Sequence, residues 1–469
     1  MKKITDIDKY YSMTVSDLAD TSLLCPECGR QHHIPLNQVK AGTDLISMLP
    51  KIIRSVHGES PLYIGVVYDR HIEDKLDDLF FKIFNKLSYA YTRLALGEKG
   101  LLLEASTELG DLTAQELPGH VDFLIGVGSG VICDLTKWIA TKSKLPYLIM
   151  GTAASMNAYT SITGTMTENN VKSTRWLTPA KAVLMDSALV ASAPHEMTCA
   201  GVGDLLARQV ANADWMLSHL IRGTYFCPVP FKMMTAFQEQ LLPVVDKLPE
   251  NNFDAMEKLS DAILVSGYSM TILDGETSPS SGSEHVISHF FDFQHELFAK
   301  PKNLHGEQVG IGTIIMSTAY DLLQSIDPSK LDIDRIVHNR LSKEEVNQDN
   351  HRIFGEYHNV FDQVVEQKRV PDDQFRNYLG KIIESWDDII EQLQPYLMPG
   401  IKIRQVMEST HGHTKLHAVK RTTEDAIQAL LYGSHYRSRY TILDLFWELG
   451  LFPEIAHVIL EESGVLTDS

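Results

Sequence analysis

Asp204, His285 and His305 are the residues of this chain best suited to chemistry. Asp204 lies in Ala-Gly-Val-Gly-Asp-Leu-Leu, His285 in Ser-Gly-Ser-Glu-His-Val-Ile-Ser-His, and His305 in Leu-His-Gly-Glu-Gln-Val-Gly. One carboxylate and two imidazoles are hard and borderline ligands that suit a divalent metal. Three protein ligands also leave a coordination position open, as in a catalytic rather than a structural zinc site. Spacing by itself leaves that ligand set open. A lone Asp one turn into a helix-compatible segment is more commonly a cap or a first-turn charge. His285 and His289 stand i, i+4 on one helix face. His295 falls near the end of the same helix, and His305 opens the next.

Two loops suit a nucleotide. Ile125-Gly126-Val127-Gly128-Ser129-Gly130-Val131-Ile132-Cys133-Asp134 reads as strand, glycine turn, helix. Glycines let a backbone approach a phosphate, and the helix behind them offers unpaired N–H groups and a positive dipole end. It is not the spaced Gly-x-Gly-x-x-Gly fingerprint, and a plain strand-to-helix turn would look the same. The loop Gly151-Thr152-Ala153-Ala154-Ser155-Met156-Asn157-Ala158-Tyr159-Thr160-Ser161 also follows a strand. Its small and hydroxylic residues could line a nicotinamide or ribose, although a well-capped surface loop is the plainer reading.

A third pattern stands apart. Cys25-Pro-Glu-Cys28-Gly-Arg-Gln-His32-His33 could be half of a zinc knuckle. The pair is incomplete unless a histidine joins it, and no second Cys-x-x-Cys follows. The bland alternative is a tight turn with free thiols, and nothing links it to catalysis.

These residues need elements to place them. From about 45 to 190 short apolar runs alternate with helical spacing: 62–68, 121–127, 145–150 and 182–185. Such strands between helices imply a parallel sheet covered on both faces, with ligands at the carboxyl ends of its strands. From 193 the strands stop and long helical patterns follow: 195–222, 230–248, 253–273, 283–299, 305–325, 343–366, 372–393 and 422–449. The expected organisation is an extension over 1–45, an α/β domain over 46–192 and an all-helical domain over 193–469. No internal repeat or low-complexity tract occurs.

At 469 residues two domains are expected. The net charge of −19 argues against nucleic acid or an anionic membrane, both of which need a basic face. No apolar run is long enough to span a membrane, and the N-terminus lacks the apolar core of a signal peptide. Five cysteines, three of them scattered singly, suggest reduced thiols in a cytoplasmic protein.

Gly126 to Asp134, Thr152 to Ser161, Ala200-Gly-Val-Gly-Asp-Leu-Leu206, Ser281 to His289, Leu304 to Gly310 and Arg439-Tyr-Thr-Ile-Leu-Asp444 together resemble the sn-glycerol-1-phosphate dehydrogenases. These belong to the iron-containing alcohol dehydrogenase, glycerol dehydrogenase and dehydroquinate synthase superfamily. The motifs run in family order from about residue 60 to 450. The resemblance implies a Rossmann-like N-terminal domain, a helical C-terminal domain and an active site in the cleft between them. It implies Asp204, His285 and His305 as metal ligands; zinc is the first choice of ion, with nickel or iron(II) open because an Asp-His-His set does not choose sharply. His289 and Asp204 become catalytic residues, and Asn157, Asp204 and His289 contact substrate. NAD or NADP is placed against Asp69, Gly128, Gly130, Val131, Ile132, Cys133, Asp134, Thr152, Ala153, Ala154, Ser155 and Ser161. The substrate is a small phosphorylated polyol or ketose, and relatives are commonly homo-oligomers. One departure concerns substrate: where the family usually has Asp, this chain has Asn157, which loses the charge and gains donors. The extension with its cysteines and the helical insert near 326–375 also lengthen the chain. Beside a dehydrogenase of another polyol or sugar phosphate, two rivals of other classes remain: a dehydroquinate synthase-like lyase or cyclase, and a binding protein that keeps the fold. The first normally has Glu where this chain has Asp204. The second has only Asn157 in its favour.

Overall fold

The computed structural model describes residues 1–58, 62–98, 101–168 and 171–466. Eleven strands occur among them. β1 (Lys2–Ile4), β2 (Thr21–Leu24) and β3 (Gln31–His33) make a small sheet. β4 (Gln38–Gly42), β5 (Tyr63–Asp69), β6 (Ala90–Leu96), β7 (Phe123–Gly128), β8 (Tyr147–Gly151) and β11 (Ala182–Asp186) form the central sheet. β9 (Thr163–Glu168) and β10 (Val171–Trp176) pair as an antiparallel hairpin. The helices that bear on the candidate site are α1 (Leu45–His57), α2 (Gly130–Ser143), α3 (His195–Leu206), α4 (Arg208–Arg222), α5 (Val229–Leu241), α6 (Phe253–Thr271), α7 (Ser283–Phe298), α8 (His305–Ser325) and α9 (Ile442–Glu448).

The expected parallel sheet is present, in the order β4-β11-β8-β7-β5-β6, with every pairing parallel. The four strands expected from the apolar runs are its middle. Their residues are buried on both faces, which is why they read as continuous apolar runs rather than alternating ones. Ile64, Val66, Phe123, Ile125, Val127, Leu148 and Met150 pack with Leu49, Ile52 and Ile53 of α1 and with Phe80, Phe81 and Phe84. Asp186 ties the far side of the sheet to two helices. Its carboxylate accepts from Leu45 N at 2.8 Å and from Ala188 N at 3.0 Å, one acid at two helix starts.

The chain direction reverses at β5: β6 lies on one side of it and β7 on the other. This is a topological switch point, where the carboxyl ends of two neighbouring strands leave a crevice for a ligand. Tyr68 pairs with Val127, so Asp69 and Gly128 end these strands side by side.

The chain divides into two compact units: Met1–Leu205 with Cys227–Thr277, and Leu206–Phe226 with Ser278–Ser469. The last strand of the sheet ends at Asp186, near the expected end of the α/β region. Helices α5 and α6 nevertheless belong to the first unit, because the chain returns to it at Cys227. Among the described residues of the second unit, every regular element is helical. The segment expected as an extension over 1–45 is folded. It carries the three-stranded sheet, and its β4 pairs with β11 over Gln38–Gly42 as an edge strand. No helix among the described residues is long and apolar enough to cross a membrane.

Candidate functional site

In the first unit, α2 begins directly behind β7. Ser129 is its cap residue, and its side chain makes no capping hydrogen bond. The first-turn amides of Gly130, Val131 and Ile132 therefore stand at the switch point with the positive end of the helix dipole, the arrangement that suits a diphosphate. The side chains behind them face inward. Cys133 is fully buried, and burial pushes its thiol up to about 12. Asp134 is buried as well. Desolvation raises its carboxyl to about 6 even though Lys137 lies 3.8 Å away and Thr165 N donates to it at 3.1 Å. Asp69 spends its carboxylate locally, accepting from His71 N at 2.8 Å with the His71 ring nitrogen at 2.9 Å.

The second loop is fastened from several sides. Thr152 N donates to Gly128 O at 3.1 Å, joining the two loops. The Tyr159 hydroxyl holds Ala153 O at 2.7 Å, and Thr160 Oγ1 donates to Leu264 O of α6 at 2.6 Å. Ser161 shares a hydroxyl contact with Thr163 at 2.7 Å and is buried. Lys137, with no exposed surface, donates to Ala158 O at 2.7 Å and Thr163 O at 2.8 Å. Thr152 and Ser155 stay half-buried, while Ala153 and Ala154 are covered. α3 presses on the loop so closely that a Cβ at Gly201 would lie 1.7 Å from the Ala154 carbonyl oxygen. Asn157 N donates to Asp204 Oδ2 at 2.8 Å. Asp204 is buried in the last turn of α3, not in its first. A first-turn charge or cap is therefore not its role, because α3 starts about two and a half turns earlier, at His195.

In the second unit, the starts of α7 and α8 bring three imidazoles together. Ring centroids are 5.2 Å apart for His285 and His305, 5.6 Å for His289 and His305, and 6.2 Å for His285 and His289. The two helices approach closely because Gly312 has no side chain: a Cβ there would lie 2.5 Å from Glu284 O. His285 Nδ1 lies 2.7 Å from Oε1 of Glu284, a fully buried carboxylate that also accepts from Gly282 N at 2.8 Å. A proton on Nδ1 satisfies that carboxylate and turns the Nε2 lone pair outward, the carboxylate–histidine pairing typical of metal ligands. His305 Nδ1 lies 3.3 Å from Ser288 Oγ. His289 Nε2 lies 2.9 Å from Arg437 Nη2. A guanidinium only donates, so this nitrogen is the acceptor and the proton of neutral His289 sits on Nδ1. Arg437 also donates to Ser281 at 3.1 Å, and the Tyr436 ring lies parallel to His289 within 2°.

Below the cluster lies a second buried carboxylate, Asp214 of α4. It accepts from Ser283 N at 2.6 Å, Tyr320 Oη at 2.7 Å and Ile442 N at 2.9 Å. Burial, then the neighbouring charge of Glu284, raises it to about 7. It thus ties the starts of α7 and α9 to α8. In the motif Arg439 to Asp444, Thr441 and Asp444 form the capping box that starts α9.

Lys137, Asp214, Glu284, Tyr436 and Arg437 are site residues outside the candidates that spacing and motif point to. Only Glu284 carries a local signal, as the acid directly before a candidate ligand.

Residues 40–194 match the family model described as iron-containing alcohol dehydrogenase. The chain is 28% identical over 297 residues to a glycerol-1-phosphate dehydrogenase [NAD(P)+] of Halalkalibacterium halodurans, covering 63% of this chain and 73% of that one. It is 34% identical over 203 residues to the protein of the same name from Thermococcus sibiricus, covering 43% and 57%. Its fold is similar to the crystal structure of a probable glycerol dehydrogenase from Sinorhizobium meliloti 1021, with a TM-score of 0.57 at 17% identity over 92% of this chain and 98% of that one. The parallel sheet with its switch-point loop, the helical unit with its histidine cluster and these likenesses agree: the chain has the fold of the iron-containing alcohol and glycerol dehydrogenases and is similar in sequence to the glycerol-1-phosphate dehydrogenases, with the family match confined to residues 40–194.

Proposed function

We propose that the protein interconverts dihydroxyacetone phosphate and sn-glycerol 1-phosphate, using NADH or NADPH and one divalent metal. The observation that carries the metal reading is His285, held through Nδ1 by a fully buried Glu284 and grouped with two further imidazoles. The relatives' names support the substrate. Asp204, His285 and His305 are the ligands, and His289 and Asn157 contact the substrate. A carboxylate and two imidazoles fit zinc, and also nickel or iron(II), without choosing sharply among them. Bound there, the ion supplies Lewis-acid polarisation of the ketone oxygen and a counter-charge for the alkoxide. The first-turn amides of α2 would hold the diphosphate of the cofactor and Thr152 to Ser161 the rest of it, and a nicotinamide held there would supply the hydride.

The protein's own groups do the positioning. Glu284 fixes the His285 ring, and the backbone N–H of Asn157 fixes the Asp204 carboxylate. His289 carries its proton on Nδ1, with Arg437 holding the other nitrogen. Its Nδ1–H is the donor that would orient the substrate oxygen, and the proton taken up in reduction or released in oxidation is exchanged with water, since a neutral ring has only that one proton and its other nitrogen is occupied by Arg437. The substitution at Asn157 favours a second reading, a related polyol or sugar phosphate. Its backbone already meets the Asp204 carboxylate, and a neutral side chain there avoids placing a second charge nearby.

The test is loss of nicotinamide absorbance when dihydroxyacetone phosphate is added to metal-loaded protein, with dihydroxyacetone run in parallel. Oxidation with the phosphate ester alone supports the first reading. Silence with both substrates at full metal occupancy sinks it and moves the search to other sugar phosphates. Product formation without net NADH consumption would instead mark the lyase or cyclase class.

A further inference from the structure

The cysteine pattern near the N-terminus has no part in this chemistry, yet the fold completes it. Cys25, Cys28 and His32 meet Cys227, which lies just before α5. Their ligand atoms all lie within 4.8 Å of one another. Cys25 Sγ and Cys227 Sγ are 3.8 Å apart, Cys28 Sγ and His32 Nε2 are 3.4 Å apart, and Cys227 Sγ and His32 Nε2 are 3.4 Å apart. We propose that Cys25, Cys28, His32 and Cys227 hold a second metal ion, zinc, in a closed tetrahedral site.

The distances carry the choice of ion. Zinc bonds of about 2.3 Å to sulfur and about 2.0 Å to nitrogen put tetrahedral ligand atoms about 3.8 Å apart for two sulfurs and about 3.5 Å for sulfur and nitrogen. A disulfide would need sulfurs about 2.05 Å apart, and no described cysteine is in one. The surroundings are built for ligation. The Cys25 to Arg30 turn closes on itself, Gly29 N donating to Cys25 O at 3.0 Å and Cys25 N to Arg30 O at 2.9 Å, so both thiols face one side. His32 is buried, and its Nδ1 lies 2.8 Å from Ile272 O just past α6. That carbonyl fixes the proton on Nδ1 and leaves Nε2 to the metal. Cys25 and Cys227 are buried as well.

Four protein ligands leave no position for substrate, so this site is structural. It fastens the small N-terminal sheet to the residues before α5 and, through His32, to the end of α6. A mainly thiolate set also selects zinc over the hard cations a carboxylate site accepts.

The full-length chain decides the matter by cobalt(II) substitution and zinc counting. A thiolate-to-cobalt charge-transfer band can arise only from a sulfur-ligated ion, which keeps this test independent of the catalytic reading. The band should appear in the wild type and persist in His285→Ala, while Cys28→Ser should weaken it and lose one zinc equivalent per chain. Cys28 is only partly buried, which makes that variant the mildest to fold. Should it fail to fold, the wild-type spectrum decides alone. A metal-saturated wild type without the band, or thiol titration showing Cys25 and Cys227 joined as a disulfide, would overturn the proposal.

Discussion

The two units prepare ligands in opposite ways. In the first unit, the strand-end loops turn most of their polar side chains inward: Asp134 to Thr165, Lys137 to Ala158 and Thr163, Ser161 to Thr163, and Asp69 to its own turn. What remains at the switch point is largely backbone, the first-turn amides of α2. In the second unit, the imidazoles themselves face the site and buried carboxylates stand behind them, Glu284 under His285 and Asp214 under the start of α7. A surface made of backbone tolerates changes that leave its shape intact. A surface made of side chains depends on each one. Changes at the second unit's histidines and the carboxylates behind them should therefore reach turnover, and changes in the first unit's strand-end loops, Asp204 and Asn157 apart, should reach stability and cofactor affinity.

The largest effect is expected from His285→Ala. Loss of Lewis-acid help, worth several kcal/mol, should reduce turnover on the order of a thousandfold or more. Metal analysis should show one equivalent gone, and near-wild-type rates would remove His285 from the ligand set. Glu284→Gln keeps the shape but not the charge behind the ring. Metal affinity or kcat/KM should fall about 10–100-fold, with cofactor affinity unchanged; an equal loss of cofactor affinity would blur the contrast between the units.

Lys137→Met inverts the pattern. It leaves Asp134 without its cation and two carbonyls without their donor, and should cost about 3 kcal/mol or more in urea unfolding. KM for the nicotinamide should rise more than kcat falls. A pure kcat effect would mean that Lys137 does more than hold the loop.

The smallest effect is the pH dependence of Asp134. Its folded-state pKa, about 6, is raised above the ordinary carboxylate value. The folded state therefore binds this proton more tightly than the unfolded one, and the associated stability is present below about pH 4 and lost as pH rises through about 6. Urea midpoints at pH 5 and pH 8 should differ less in Asp134→Asn than in the wild type. Equal differences would mean that the acid is ionised throughout.

Much of this was legible in the sequence, and the reasons differ from place to place. The central strands showed because strands buried on both faces must be apolar throughout. β6 did not, since Thr92 and Arg93 interrupt its edge-strand pattern and its burial is only partial. β4 was hidden in a segment set aside as an extension, because a short run with Gln38 and Lys40 looks like loop until β11 pairs with it. The histidine cluster was legible as motifs, but spacing along a helix could not separate His285 from His289. The folded chain gives the two rings different partners, a buried carboxylate on one and a guanidinium on the other. The cysteine site was half visible. Cys227 is 202 residues from Cys25, and no local pattern can announce a partner supplied by the path of the chain.

That path has a consequence for anyone who cuts the protein. Cys227 is the first residue after the excursion Leu206–Phe226, so the first unit is not a continuous piece of sequence. A fragment ended at the last strand would keep Cys25, Cys28 and His32 but lose Cys227, α5 and α6. On the ribosome the same order applies: three ligands emerge first and wait for the fourth while about two hundred residues are added, on the order of ten to forty seconds at ordinary elongation rates. During that wait the thiols have no fourth ligand to close on, and this is when the nascent chain is most open to oxidation or to capture of the wrong metal.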